Sequence, residues 1–324
     1  MTPPAPEASA RTVRTFSVPT PELRDALAGA SPNVDVVLWD FRSDPEGADV
    51  AQVDAAVLPY TGKFDVVGRA FDAAVDLKLV LTQSTGYDGV EGLVAPDVAI
   101  ATAAGVHAAA TAELAVGLAL ASLRGIDAAV RNQDRGLWRG ARYPGLADRR
   151  VLLVGVGGIG EEIRRRLVTF DTEVTRVGST ARDDELGHVH GSDELVELAP
   201  RHDVLIVITP LSDSTRGLIG PDLLAALPDG ALVVNVARGA VVDTEALTRE
   251  VLSGRLKAAL DVVDPEPLPE GHPLWSAPGV IITPHLGGNS EAFPPRILAL
   301  LRRQIERLGS GQEPENLVRR GPWS

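Results

Sequence analysis

From Val151 onward the chain alternates short apolar runs with amphipathic stretches, and this alternation limits the fold more than any other feature. The runs are Val151–Val154, Glu173–Val177, Val204–Ile208, Ala231–Val236, Ala258–Val262 and Val280–Thr283. Helical patterns lie between them at Gly160–Thr169, Ser192–Leu198, Pro221–Ala226 and Thr244–Ser253. Runs this short, rich in Val, Ile and Leu, read as strands covered on both faces. Strand and helix in strict alternation predict a parallel sheet with helices on either side.

The first part of the chain repeats the pattern. Strands are expected at Val34–Leu38, Ala55–Leu58, Leu79–Thr82 and Val98–Ala101, with helices at Pro21–Ala28 and Val67–Ala74. A long helix should follow from Ala108 to about Asp134, then a turn-rich stretch around Tyr143-Pro144-Gly145. A last helix, Ala292–Leu308, runs into a polar tail. With 324 residues, 44% of them hydrophobic, the chain can build two cores rather than one. The expected class is α/β, with two doubly wound parallel-sheet domains.

Several functions are excluded early. The chain has no cysteine, which removes disulfides, thiolate metal sites and cysteine nucleophiles. A net charge of -13 argues against nucleic-acid or anionic-membrane partners, so an anionic substrate would need a local basic site. The Pro/Ala-rich start, Met1–Ala10, reads as a disordered tail and not a signal peptide. Ala108–Leu123 is apolar but too short to span a bilayer, contains Glu113 and is rich in small residues; it reads as a buried or subunit-interface helix. The expectation is a soluble cytoplasmic protein.

The chemistry starts at Gly155-Val156-Gly157-Gly158-Ile159-Gly160, which leaves one strand and opens a helix. Glycines permit a tight turn and close approach of backbone to a pyrophosphate, and the helix N-terminus adds amide donors and positive potential. An acid for an adenosine ribose should stand about 20 residues on. The sequence there is Arg176-Val177-Gly178-Ser179-Thr180-Ala181-Arg182, with no acid at the strand end. Ser179, Thr180 and Arg182 suit a 2′-phosphate, with Arg176 as a weaker candidate. NADP(H) is therefore favoured and NAD(H) left open, through Asp183 or Asp184 folding back to the ribose.

Three further residues follow strands of the same sheet. Arg238, in Asn235-Val236-Ala237-Arg238-Gly239, offers a bidentate guanidinium to a carboxylate. His285, in Thr283-Pro284-His285-Leu286-Gly287-Gly288, can deliver a proton near neutral pH. Glu266, in Asp264-Pro265-Glu266-Pro267, could orient that imidazole. Ligands of open α/β sheets bind off the carboxyl ends of strands, which is where these residues stand. Other signals read as bland. His188 and His190 make two metal ligands without an evident third and are taken as a solvated loop; no metal is expected. Arg164-Arg165-Arg166 reads as a solvated helix face.

Taken together, the chain resembles the D-isomer-specific 2-hydroxyacid dehydrogenase family. The resemblance rests on Ser84-Thr85-Gly86-Tyr87-Asp88, Thr111-Ala112-Glu113, Gly155–Gly160, Thr209-Pro210-Leu211, Asn235–Gly239, Leu260-Asp261-Val262, Glu266-Pro267, His272-Pro273-Leu274-Trp275 and Thr283–Gly288. It implies a Rossmann nucleotide domain, 105–287, inserted into a flavodoxin-like substrate domain made of 1–104 and 288–324. It also implies a homodimer. Carried over by position, His285 is the acid/base, Glu266 its partner, and Arg238 the binder of the substrate carboxylate and carbonyl. The amides of Thr85 and Gly86 hold the carboxylate; Gly155, Gly157, Gly158, Ile159 and Gly160 hold the pyrophosphate. Asp261 and the carbonyl of Ala237 face the nicotinamide, and Pro210 packs nearby. The implied reaction is NAD(P)H-dependent reduction of a small 2-oxo acid, of the glyoxylate and hydroxypyruvate class, to the D-2-hydroxy acid. A bulkier 2-oxo acid and a non-catalytic dinucleotide sensor are the alternatives. A formate-oxidising branch would carry Gln where Glu266 stands, and a phosphite-oxidising one Lys near Thr85.

Overall fold

A computed structural model describes residues 11–60 and 65–324; the expected tail Met1–Ala10 lies outside them. The chain forms two compact units. One takes the described residues up to His107 together with Glu291–Ser324, and the other is Ala108–Ser290.

The first unit is a six-stranded sheet. Its strands are β1 (Thr15–Val18), β2 (Asp35–Leu38), β3 (Ala55–Val57), β4 (Leu79–Leu81) and β5 (Ala99–Ala101), closed by β14 (Leu317–Arg319). The order β2-β1-β3-β4-β5 is the flavodoxin-like one and all five are parallel. Alternate residues of β4 serve opposite faces. Leu79 and Leu81 join a core with Ile297, Leu301 and Ile305 of helix Phe293–Gly309. Val80 joins the core of Trp39, Phe41 and Phe71. Two elements differ from the sequence expectation. β1 lies in the stretch between the expected tail and the first expected helix, where no element was expected, and β14 pairs antiparallel with β5 where a polar tail was expected. Both strands are short, so periodicity alone carries little signal for them.

The second unit is an eight-stranded sheet. It holds β6 (Arg150–Val154), β7 (Glu173–Val177), β8 (Arg182–Asp184), β9 (Gly187–His190), β10 (Val204–Val207), β11 (Leu232–Asn235), β12 (Lys257–Leu260) and β13 (Val280–Ile282). The order is β13-β12-β11-β10-β6-β7-β9-β8. Strand order reverses between β6 and β10, the switch point at which α/β sheets bind ligands. Val151 and Leu153 of β6 face one core, and Leu152 and Val154 face the other. Burial on both sides explains the uninterrupted apolar runs. One edge departs from the all-parallel expectation, because β8 pairs antiparallel with β9.

The long helix expected from Ala108 to Asp134 is two. Ala108–Leu123 ends before Gly125, which has φ 64°, and Ile126–Gln133 continues at 68° to it. Glycine takes that left-handed conformation at little cost. Ala112, Ala115 and Ala119 pack on the sheet beside Leu153 and Ile206, so the small residues serve close helix–sheet contact. No single helix among the described residues is long and apolar enough to cross a membrane.

Candidate active site

Two glycines of the loop after β6 are sterically required. A Cβ on Gly160 would lie 2.0 Å from the carbonyl oxygen of Gly155, so the first helical turn sits against the loop. Gly155 has φ 117°, and a Cβ there would lie 2.8 Å from the backbone of Ile208. Gly157 and Gly158 differ: a Cβ on either would meet nothing within 4 Å. Crowded glycines thus shape the turn, while open ones leave bare backbone at the N-terminus of helix Gly158–Leu167. Ile159, in the first turn of that helix, packs against the core. This cradle fits the pyrophosphate of a dinucleotide. The helix starts at Gly158, earlier than expected, because Gly157 is its N-cap. Its arginines are paired rather than merely solvated: Arg164 donates twice to Glu161 at 2.8 Å, and Arg165 and Arg166 both reach Glu162. The Arg164 contact, above all, holds Glu161 below the usual carboxylate range.

The ribose end of the site revises the sequence reading. Arg176, the weaker phosphate candidate, is 7% exposed. It donates to both oxygens of Asp184 at 2.8 Å and to the carbonyl of Gly187. It is a structural clasp for the β8–β9 hairpin. Asp184 is pulled below its ordinary pKa first by Arg176 and then by the Leu186 amide. Asp183 meets His188 at 2.8 Å, so both acids that could have turned back to a ribose are engaged elsewhere. Ser179, Thr180 and Arg182 are exposed past the end of β7. Arg182 donates to the Thr180 carbonyl at 3.3 Å and lies over Gly178, where a Cβ would come 2.9 Å from its Nη1. His188 and His190 lie on β9, not in a loop; pairing with β7 on one side and β8 on the other makes this strand and has no local signature.

At the carboxyl ends of β11, β12 and β13, neighbours in the sheet, stand Arg238, Asp261 and His285. Arg238 is presented by a tight turn. Buried Asn235 donates to the Arg238 carbonyl at 3.0 Å and accepts from the Ala237 amide at 3.0 Å. Arg238 Nη1 donates to the Ala237 carbonyl at 2.8 Å, which in this structure is the partner of that oxygen. Gly239 abuts the segment before Glu266: a Cβ on it would lie 1.9 Å from the Val263 carbonyl oxygen. Pro210 is exposed after β10, its carbonyl accepting from Thr215 at 2.7 Å.

His285 Nδ1 lies 2.7 Å from Glu266 Oε1, and both side chains are half-exposed, at 47% and 43%. A carboxylate at that distance fixes the Nδ1 proton and leaves Nε2 to exchange a proton with a ligand. The residue itself has φ 54°, a costly conformation for a non-glycine. Asp261 holds it there. Its carboxylate, 3% exposed, accepts from Thr283 Oγ1 at 2.6 Å and from the amides of Leu286 at 2.7 Å and Gly287 at 2.8 Å. Its carbonyl accepts from the His285 amide at 2.9 Å. Asp261 is thus the anchor of the histidine loop. Asn235 and Thr283 were missed as supports. The signal was present: polar residues at the ends of strands buried on both faces need partners.

Thr85 and Gly86 belong to the other unit. Their loop after β4 is held by Thr82 Oγ1 donating to Ser84 O at 2.7 Å and Ser84 Oγ donating to Gly86 O at 2.6 Å. Gln83 reaches the Leu58 carbonyl at 2.8 Å, joining this loop to the Leu58–Thr61 segment, of which Thr61 lies outside the described residues.

Comparison with known proteins agrees with this geometry. Residues 116–287 match the family model described as D-isomer specific 2-hydroxyacid dehydrogenase, NAD binding domain. The chain is 30% identical over 306 residues to glyoxylate reductase of Thermofilum pendens, covering 88% of each protein. It is also 30% identical over 277 residues to D-3-phosphoglycerate dehydrogenase of Methanocaldococcus jannaschii, spanning 82% of this chain and about half, 52%, of that protein. A solved NADPH-dependent glyoxylate/hydroxypyruvate reductase from Sinorhizobium meliloti, in complex with NADP and malonate, superposes with TM-score 0.78 at 29% identity. That superposition covers 96% of this chain and 98% of the other.

Proposed function

This chain belongs to the D-isomer specific 2-hydroxyacid dehydrogenase family, whose members are NAD(P)-dependent oxidoreductases, and on that footing we propose that it reduces a small 2-oxo acid, of the glyoxylate and hydroxypyruvate class, to the D-2-hydroxy acid. The observation that carries the reading is the 2.7 Å contact between His285 and Glu266 at the carboxyl end of the nucleotide-binding sheet. When bound, the dinucleotide supplies the hydride. The guanidinium of Arg238 binds the substrate carboxylate and polarises the carbonyl, so that negative charge growing on its oxygen is met by a fixed cation. His285 gives that oxygen its proton from Nε2, while Glu266 keeps the ring oriented through Nδ1.

NADP(H) is the proposed cofactor. In support, Ser179, Thr180 and Arg182 are exposed past β7, and Asp183 and Asp184 are already engaged. The S. meliloti relative, solved with NADP, agrees with this choice. A homodimer is proposed as well, because Ile126, Val130, Leu137 and Trp138 leave apolar surface exposed on helix Ile126–Gln133 and just after it. The test is NADPH oxidation with glyoxylate and hydroxypyruvate at neutral pH, run beside NADH. Turnover with an NADPH preference supports the whole reading. A preference for NADH overturns the cofactor assignment and keeps the chemistry. Tight dinucleotide binding without turnover on a wide panel of 2-oxo acids would leave a sensor and sink the enzyme.

A further inference from the structure

A second group of ligand-type side chains lies at the antiparallel edge of the eight-stranded sheet and includes none of the proposed catalytic residues. β9 carries His188 and His190 two residues apart, so both imidazoles leave the same face of the strand. The chain then turns, and the short helix Ser192–Glu194 returns Glu194 to them. One ring nitrogen of each histidine and one oxygen of Glu194 all lie within 4.8 Å of one another. The two rings are 4.6 Å apart and near perpendicular, at 87°.

The carboxylates around the pair are themselves placed. Asp183 stands directly across the hairpin from His188, with Oδ1 2.8 Å from Nδ1. Glu194 sets Oε2 2.8 Å from His190 Nδ1, and its Oε1 accepts from the Gly191 amide at 2.7 Å. An acceptor at Nδ1 of His188 keeps the proton there and leaves Nε2 as the ligand nitrogen, the arrangement by which outer carboxylates orient metal-binding histidines.

We propose that His188, His190 and Glu194 form a binding site for a divalent transition-metal ion of the zinc class, with Asp183 as the residue that orients His188. Two imidazoles and one carboxylate suit such an ion; calcium and magnesium take oxygen ligands almost alone. Metal–ligand bonds of about 2.0–2.2 Å set ligand atoms roughly 3–4 Å apart, so closure needs side-chain movements on the order of 1 Å. The side chains are exposed or part-buried and free to make them. Three protein ligands leave a position for water or a small anion. Simple ion pairing would account for each histidine–carboxylate contact alone, but not for ligand atoms of His188, His190 and Glu194 lying within 4.8 Å of one another. The site also adjoins the proposed cofactor-phosphate segment, since the amide of Gly178, just before Ser179, donates to the His190 carbonyl at 2.9 Å.

The test is calorimetric titration of the chelator-stripped full chain with Zn2+, with Co2+ as a spectroscopic probe of coordination. One ion per chain is expected, with Kd in the micromolar range, ~1–10 μM. His190→Gln and Glu194→Gln should each weaken it at least ~10-fold, and Asp183→Asn ~10- to 100-fold through loss of orientation. Circular dichroism of these surface variants should match the wild type; if one fails to fold, Asp183→Asn and His188→Gln carry the test. Absence of binding up to ~1 mM Zn2+ would overturn the site. So would an affinity unchanged by all the variants, as for an ion seated on His285 and Glu266 and lost in His285→Gln.

Discussion

Replacing Asp261 by Asn tests whether this residue anchors His285, the proposed acid/base, or serves the cofactor. The carboxylate accepts three hydrogen bonds: Thr283 Oγ1 and the Leu286 amide on Oδ1, and the buried Gly287 amide on Oδ2. Asparagine can keep Oδ1 where it is, but its amide nitrogen then faces the Gly287 amide, donor against donor. Flipping the amide lets that nitrogen donate to Thr283 Oγ1 but sets it against the Leu286 amide, so one donor still faces a donor. The variant thus loses one hydrogen bond to a charged acceptor, ~1.5–3 kcal/mol, and leaves a buried N–H without a partner. The other two bonds become neutral and weaken. The expected cost is ~3 kcal/mol by urea unfolding, for a change of one atom. Because the His285 amide also hangs on the Asp261 backbone, the loop carrying the imidazole should relax, and kcat should fall at least ~10-fold. Wild-type stability with an NADPH KM raised several-fold would refute the argument: Asp261 would then be serving the nicotinamide and not the loop.

Three other outcomes are expected. His285→Ala should lose at least ~100-fold in kcat, with thermal stability near wild type because the ring is half-exposed; near-normal turnover would remove it from proton transfer. Arg182→Ala should raise the KM for NADPH ~10-fold or more and leave that for NADH within about twofold, since only the 2′-phosphate needs the cation; equal effects on both cofactors would dismiss the phosphate role. His202 should make stability pH-dependent. Burial holds its pKa below the ordinary value, while its two nitrogens meet the Leu198 carbonyl and Thr175 Oγ1 at 2.8 Å. The unfolded chain therefore binds more protons once pH falls below about 6.5, so the contribution is full above that value and declines as pH drops through the folded pKa. His202→Gln should flatten the fall in urea midpoint between about pH 7.5 and about pH 5.5, and an unchanged slope would reject the assignment.

Much of the candidate site was legible because its parts are local. Gly155–Gly160 lies between an apolar run and an amphipathic one, and the need for glycine at 155 and 160 comes from neighbours in the same turn, or one strand away. The hairpin edge was illegible for the opposite reason. β8 is three exposed polar residues, Arg182–Asp184, and becomes a strand only by pairing with β9. That pairing turned Arg176 from a phosphate candidate into the clasp on Asp184, and it put His188 and His190 on one face beside Glu194.

The alternation of buried strands and helices, the phosphate cradle and the residue types for proton transfer and anion binding were determined by the sequence. Periodicity and glycine stereochemistry are properties of residues close together in the chain. The tertiary structure alone decided which side chains meet. His285 reaches Glu266 across 19 positions, and Asp261 reaches Gly287 across 26. Those distances are closed by β12 and β13 lying side by side in one sheet, an outcome of burial over the whole core rather than of any local run.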